Sequence, residues 1–469
     1  MQARTIGFVI GLLAFAITLA VPAPAGMPDP AWRVAGLVVW MAAWWMTEAV
    51  PLTATALLPF VVLPFAGVMD AKKAASAYYS PILFLILGGA FIALAIERTG
   101  LHRKLALGIL KLVGAHGGQS RLLLAFMISA ALLSMVISNT STTLIMMPMA
   151  IAVLAGGGSP ENDTEGMAGA LPMGIAFAAS IGGLGTIVGS PTNAIAVGLL
   201  DSMIGVTISF AEWSLYGIPV VILSVPLAAW LIARVQRVHR VSFDLSAARS
   251  AIDDHSAWTG AQKRLMPLIA LTFILWMAQP VLAPLLPEGS LSDGTIAVIM
   301  ALFLFVIPDG TGRPLLIWQE ANRAPWGVIM KFCGCLAMAA GMGDSGLAYW
   351  LSQALLPLAH VPLLLTAIAI VAMVILVTEF ASNVATASAI IPVVASLIVA
   401  LGADPALLAI PAALAASWGF MLPAGTGPNA IAWSTGHIAL PRMVRAGFWL
   451  DLAGIPLIIG SVWVMASLT

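Results

Sequence analysis

Two polar triplets stand in the middle of apolar sequence. Ser138-Asn139-Thr140 sits within LLSMVISNTSTTLIMMPMA, and Ser382-Asn383-Val384 within ILVTEFASNVATASAIIPV. Hydroxyl and amide groups are costly in hydrocarbon unless something binds them. Two further breaks use the same residue types, Gly189-Ser190-Pro191-Thr192-Asn193 and Gly425-Thr426-Gly427-Pro428-Asn429. Ser, Thr and Asn suit helix N-caps and Pro the first turn, so a half-helix is expected to begin at each break. Helix N-termini carry partial positive charge and free N–H donors, which attract anions. Carbonyl, hydroxyl and amide oxygens are hard ligands that suit a small cation such as Na+ better than a soft metal. The expected chemistry is joint binding of an anion and Na+, not bond making, because nothing in the chain arranges a nucleophile, a base and a metal.

No Lys or Arg occurs between Arg121 and Arg234, or between Lys331 and Arg442. Both regions that hold the polar breaks therefore lack basic side chains. An anion bound there must have its charge offset by helix ends and by cations bound with it. Without them a dianion would face an uncompensated charge in low dielectric, so each solute would require the other. Glu379, beside the second triplet, is an intramembrane carboxylate and thus a functional candidate. A structural hydrogen-bond acceptor is the first reading of it and a proton carrier the second.

These residues need elements that bring them together at mid-depth in a membrane. The 469 residues are 61% hydrophobic and only 9% charged, against about 25% charged in soluble domains. Such a chain is expected to be an all-α polytopic membrane protein. A β-barrel would show dyad alternation in place of long apolar runs. The net charge of zero argues against a nucleic-acid partner. Cys333 and Cys335, one residue apart in apolar sequence, read as buried thiols. The histidines (102, 116, 239, 255, 360 and 437) are scattered and read as interfacial residues. Glu48 reads as a structural residue near a span end, and Trp44-Trp45 as an interfacial anchor.

Apolar spans fall at 5–23, 34–50, 52–68, 82–98, 122–137 with 141–155, 169–200, 214–236, 264–284, 293–308, 325–342, 361–381 with 385–401, 406–435 and 446–468. The first resembles a signal peptide in its outer features but is long enough to span, and is read as a retained helix. The pieces flanking each triplet are shorter than the roughly 20 residues of a crossing, so re-entrant hairpins with the triplets at their tips fit better. The reading is about 11 transmembrane helices plus two re-entrant hairpins. With the N-terminus in the cytoplasm, the basic clusters at 98–121, 234–264, 313–331 and 442–445 all fall inside, and Lys72 and Lys73 are the exception, falling outside. The two hairpins then open to opposite sides, which makes an inverted repeat with the ligand site at mid-depth between its halves. Residues 1–33 would form an N-terminal helix, 34–237 the first repeat, 238–263 a cytoplasmic linker and 264–469 the second repeat. Segments 100–113 and 346–358 would be amphipathic arms lying along the membrane.

Taken in order, WWMTEAVPLTATALLPF, SNTSTTLIMMPMA, GSPTNAIAVG, TEFASNVATASAIIPV and GTGPNAIAW resemble the signatures of the divalent anion:sodium symporter family, the sodium-coupled dicarboxylate, citrate and sulfate carriers. The resemblance covers nearly the whole chain. It implies a homodimer working as an elevator, with scaffold parts (34–113 and 264–358) and transport parts (114–237 and 359–469). It implies one Na+ site in each repeat, the first involving Ser134, Ser138, Asn139 and the backbone near Gly189. The second would involve Thr378, Ala381, Asn383 and the backbone near Gly425. Substrate carboxylates would lie between the tips, touching Ser138, Asn139, Thr140, Ser190, Ser382, Asn383 and Thr426. The chain departs from the family in two places: Val384 replaces a Thr, and Gly427 stands where Pro is common.

The expected function is secondary active transport in the bacterial inner membrane. Inward Na+ would drive uptake of a small divalent anion, a C4-dicarboxylate such as succinate, malate or fumarate. Na+ is then a co-transported ion, not a prosthetic group, and the partners are the dianion, Na+, lipid and a second copy. A dicarboxylate exchanger, or a carrier of sulfate or another oxyanion, keeps the same fold. A channel would need a continuous polar pore, whereas the polar residues here form isolated breaks. An intramembrane enzyme would need a catalytic pair at hydrogen-bond spacing, and Glu379 has no obvious partner in the sequence.

Overall fold

A computed structural model of the chain describes residues 2–114, 117–159, 163–241, 243–250 and 257–468. His116 and His255 lie outside the described residues, and the linker is described only in part. The principal helices are α1 (Gln2–Ala20), α2 (Asp29–Thr47), α3 (Pro81–Thr99), α4 (Leu101–Gly114), α5 (Gln119–Ser134), α6 (Asn139–Gly156), α7 (Gly166–Gly182), α8 (Pro191–Ile204) and α9 (Phe210–Val235). They continue as α10 (Gly260–Leu282), α11 (Asp293–Val306), α12 (Trp326–Asp344), α13 (Leu347–Leu355), α14 (Leu363–Phe380), α15 (Asn383–Leu401), α16 (Pro405–Ala415), α17 (Gly427–Ser434) and α18 (Leu440–Ala466). Among the described residues ten helices are long and apolar enough to cross a membrane, and α5, α11 and α16 are shorter apolar helices. The chain is an all-helical, polytopic integral membrane protein. Helices satisfy every backbone donor and acceptor internally, which hydrocarbon demands.

From α3 onward one order of elements occurs twice. A long helix (α3, α12) leads to a glycine in the left-handed conformation (Gly100, φ 67°; Gly346, φ 82°). A short helix follows (α4, α13), then one helix running to a tip (α5, α14) and one running from it (α6, α15). An interrupted pair (α7–α8, α16–α17) and a long closing helix (α9, α18) complete each pass. The two passes interlock. Helix α17 packs on α6 and α7 of the first pass, while α8 packs on α15 of the second.

Small residues allow this density. Every residue of α7 is buried. A Cβ on Gly88 of α3 would lie 2.6 Å from the carbonyl carbon of Ala297 in α11, so these helices cross backbone to backbone. The outer helices show the opposite character. Leu13 of α1 and Ile274 of α10 are more than half exposed, as lipid-facing residues should be.

Two local expectations change. The apolar run 52–68 is not one span but two short helices, Leu52–Thr55 and Leu58–Phe65, because Pro59 at the start of the second has no N–H with which to continue the first. Trp44 and Trp45 are not interfacial anchors. Both are buried: Trp44 stacks on Phe8 with ring centroids 5.3 Å apart, tying α1 to α2, and Trp45 Nε1 donates to Leu52 O. Lys73, an exception to the charge rule, pairs with Asp344 at the end of α12 at 2.6 Å, which offsets its charge locally. Glu48 sits at the C-cap of α2 with φ 50° and pairs with Arg4 at 3.6 Å. Cys333 and Cys335 are buried free thiols, and Cys335 Sγ donates to Ser388 Oγ of α15.

A charged cluster ties the end of α3 to the α11–α12 connection. Arg98 donates from Nη2 to Asp309 Oδ2 at 2.5 Å and from Nη1 to Leu315 O at 2.7 Å. Hydrogen bonds from Thr311 and Arg98 hold the Asp309 carboxyl well below the usual carboxylate range. That stabilisation is present above the ordinary carboxylate range and is lost only as pH falls through the lowered value.

Candidate functional site

At the first tip Ser138 is the N-cap of α6, its Oγ accepting from Ser141 N at 3.2 Å. At the second, Ser382 caps α15 and accepts from Ala385 N at 3.3 Å. Thr426 caps α17 and accepts from Asn429 N at 3.2 Å. Ser190 occupies the N-cap position of α8 without making a side-chain cap bond, so its buried hydroxyl is not committed to the helix. Pro191 and Pro428 stand in the first turns of their helices, as expected for residues that have no N–H to lose.

Behind each tip lies an oxygen-rich cluster, and the two have matching construction. Ser134 Oγ lies 2.7 Å from the side-chain amide of Asn139, five residues on. With its amide oxygen turned inward, Asn139 Oδ1 accepts from Ser134 Oγ and stands beside Ala179 O and Gly189 O; turned over, the amide would point its N–H groups at these same oxygens. Thr378 Oγ1 lies 3.0 Å from Asn383 Oδ1, again five residues on, and 2.8 Å from Ala416 O. Ser134 and Thr378 are fully buried and Ala381 nearly so. Hydroxyl, amide and main-chain oxygens of this kind match what Na+ takes as ligands.

The breaks are held by two asparagines of the repeated Asn-Ala-Ile-Ala sequence. Asn193 Nδ2 donates to Gly183 O and Thr186 O, ten and seven residues back, at 2.7 and 2.8 Å. Asn429 Nδ2 donates to Gly419 O and Leu422 O, also ten and seven residues back, at 3.4 and 3.2 Å. Both side chains are fully buried. Thr186 adds a bond from Oγ1 to Met135 O at 2.5 Å, which ties the first break to the first tip. The sequence offers Asn193 and Asn429 as cap-type residues at the breaks, but the caps are Ser190 and Thr426, and the asparagines instead bridge the breaks. Their shared sequence context was the signal that could have shown this role.

All seven residues expected to meet substrate (Ser138, Asn139, Thr140, Ser190, Ser382, Asn383 and Thr426) line one cavity of about 600 Å³. Gly425 lines it as well, whereas Ser134, Gly189, Thr378 and Ala381 are buried behind it. Four helix N-termini, those of α6, α8, α15 and α17, therefore meet this space. Their partial positive charges converge where an anion would sit. Gly427 has a packing reason: a Cβ there would lie 2.7 Å from Thr140 Oγ1, so the bare Cα lets the first tip meet the second break. Val384 also lines the cavity, presenting methyls where a hydroxyl would otherwise stand.

One expectation about charge changes. The tip and break regions contain no basic residues, but the cavity does have basic lining. Arg323 and Lys331 reach it from the α11–α12 connection and from α12, with Glu97 of α3. Glu379 lines no part of the cavity. It is fully buried, and its carboxylate accepts from Met421 N at 2.9 Å and Leu422 N at 3.0 Å.

Comparison with known proteins follows the same lines. The sodium:sulfate symporter transmembrane region matches residues 2–468. The chain is 36% identical over 471 residues to the sodium-dependent dicarboxylate transporter SdcS of Staphylococcus saprophyticus, covering 97% of this chain and 90% of that one. It is 37% identical over 470 residues to SdcS of Staphylococcus aureus strain USA300, with the same shares covered. Two solved structures share the fold. MtrF of Neisseria gonorrhoeae, whose report describes a class of antimetabolite efflux pumps, superposes with a TM-score of 0.61 at 12% identity over 97% of this chain and 94% of that one. The YdaH transporter of Alcanivorax borkumensis gives 0.57 at 16% identity over 93% and 97%.

Proposed function

This chain belongs to the sodium:sulfate symporter family, whose members are transporters and not enzymes, and we propose that it couples Na+ influx to uptake of a C4-dicarboxylate. The observation that carries the reading is the pairing of one cavity with two oxygen clusters. The tips and breaks offer an anion four helix N-termini and the hydroxyls of Ser138, Thr140, Ser190, Ser382 and Thr426. Directly behind, Ser134, Ser138, Asn139 and the backbone at Gly189 would hold one Na+. Thr378, Ala381, Asn383 and the backbone at Gly425 would hold another. Asn139 and Asn383 belong to both the clusters and the cavity, so a cation that fixes either amide also shapes the anion site. That shared residue is the physical basis of coupling.

On this reading the two passes of helices are inverted repeats, 34–237 and 264–469, joined by the linker 238–263. The tip-bearing parts move as one body against scaffolds formed by 34–113 and 264–358, in an elevator motion within a homodimer. The membrane is the bacterial inner membrane, with the N-terminus in the cytoplasm.

The test is uptake of radiolabelled succinate and sulfate into proteoliposomes under inward gradients of Na+, Li+ or K+. Succinate accumulation with Na+ and none with K+ is expected. Equal uptake with all three ions overturns the symport reading, and counterflow that ignores the cation identifies an exchanger. Sulfate taken up in preference to succinate would change the cargo but not the coupling. A second expectation concerns Val384. Val384→Thr adds a hydroxyl to the cavity, and one well-made hydrogen bond is expected to lower the succinate KM by about three- to tenfold. An unchanged KM and an unchanged succinate-to-sulfate ratio would show that this position does not meet the cargo.

A further inference from the structure

The cavity has one wall that neither tips nor breaks supply. Glu97, Arg323 and Lys331 line it, all outside the parts that hold the oxygen clusters. Arg323 Nη2 stands 3.5 Å from Glu97 Oε1, and both side chains are well exposed, at 68% and 42%. Such a pair in water is weak and opens readily. Lys331 differs. It is half-buried in α12, a helix apolar and long enough to span. No ion pair among the described residues includes it. The carboxylate whose field reaches it, Glu48, is itself paired with Arg4. A lysine in a spanning helix is expensive unless it faces water or a charge it can use.

The wall thus carries two cations against one carboxylate and faces a space where four helix N-termini already favour anions. The cavity volume is several times that of a four-carbon dicarboxylate, so an anion held by the tips need not touch the wall. A net positive wall then acts on the anion through the field that it focuses in the cavity and so favours the bound dianion without touching it. Arg323 stands at this mouth, in a connection that also carries Arg313, and on that excess of basic residues the mouth is the cytoplasmic one.

We infer that Lys331, together with Arg323, forms an anion-attracting mouth that the dianion crosses between the tips and cytoplasmic water, and that Lys331 sets the preference for dianions over monoanions. This rests on the reading above of a dianionic cargo. Glu97 opposes the attraction by holding Arg323 and by its own charge. Neither cation belongs to the Na+ clusters, so the device tunes anion affinity without altering the response to Na+.

The experiment measures binding to the purified full-length protein at saturating Na+, read as ligand-induced thermal stabilisation. The ligands are succinate, its monomethyl ester and sulfate, at low ionic strength and with added choline chloride. Lys331→Met is expected to raise the half-saturating succinate concentration about tenfold at low ionic strength. Added salt should close that gap. The monomethyl ester should shift less, the Na+ dependence should stay as in the wild type, and Lys331→Arg should retain wild-type affinity. Arg323→Gln should shift in the same direction as Lys331→Met and Glu97→Gln in the opposite one. The inference is overturned by unchanged dianion affinity in Lys331→Met, or by a loss that is equal for the monoester and indifferent to salt. Should Lys331→Met fail to fold, the exposed Arg323→Gln decides, and unchanged affinity there is equally fatal. Wild-type protein that binds neither succinate nor sulfate defeats the cargo reading and this inference with it. Wild-type binding that Lys331→Met and Arg323→Gln both match defeats the inference alone.

Discussion

Asn139→Ala and Asn383→Ala are each expected to abolish Na+-driven uptake, by about a hundredfold or more, while leaving folded protein in the membrane. Each substitution removes an amide shared between an oxygen cluster and the cavity. Hydrogen bonds to charged groups contribute about 1.5–3 kcal/mol each, and losing one to the cation and one to the anion multiplies the effect. The two variants should differ in stability. The Asn139 amide stands among oxygens of Ser134, Ala179 and Gly189 in three elements, whereas the Asn383 amide, among the described residues, meets the Thr378 hydroxyl. Asn139→Ala should therefore melt at a lower temperature than Asn383→Ala. Uptake measured over a wide range of Na+, alongside thermal stability of the purified variants, checks both statements. Undiminished uptake in both would remove the site.

Glu379→Ala is expected to destabilise the protein and silence transport for a different reason. The Glu379 carboxylate accepts two main-chain N–H groups, Met421 and Leu422, in the non-helical stretch between α16 and α17. Each buried donor left without a partner costs about 1–3 kcal/mol. The stretch that it holds also carries Gly425 and Thr426 to the cavity. The purified variant should unfold several degrees below wild type, and raising Na+ should not restore uptake. Glu379→Gln keeps one acceptor but turns an N–H toward the other donor, so an intermediate loss of stability is expected. Had the carboxylate instead carried a proton through the cycle, Gln would change the pH dependence of transport and spare stability. A Gln variant as stable as wild type therefore refutes the structural role.

The two carboxylates near the ends of apolar spans show how far local sequence can be read. Glu48 is exposed at a helix end and pairs with Arg4 from the neighbouring helix, a role consistent with its position in the chain. The main-chain partners of Glu379 lie 42 and 43 residues away, and the buried Asp451 carboxyl that meets it lies 72 residues away, so no spacing rule points to any of them. The tryptophans make the same point. Trp44-Trp45 has the composition of an interfacial belt, yet Phe8 and Leu52 bury the pair.

By itself the sequence determined the all-helical membrane class, the two tips and the two breaks. Those are consequences of local chemistry. Apolar length decides what can span, Ser, Thr, Asn and Pro decide where a helix can restart, and a five-residue spacing folds Ser134 back on Asn139 and Thr378 on Asn383. Only the tertiary structure decided that the tips and breaks share one cavity, that main-chain oxygens of Ala179 and Ala416 complete the clusters behind them, and that Arg323, Lys331 and Glu97 furnish a charged wall. The reason is that a hydrogen bond within a few residues is set by backbone geometry. A contact between distant helices is set by how their surfaces pack, and a stretch devoid of basic residues says nothing about the charges its neighbours bring.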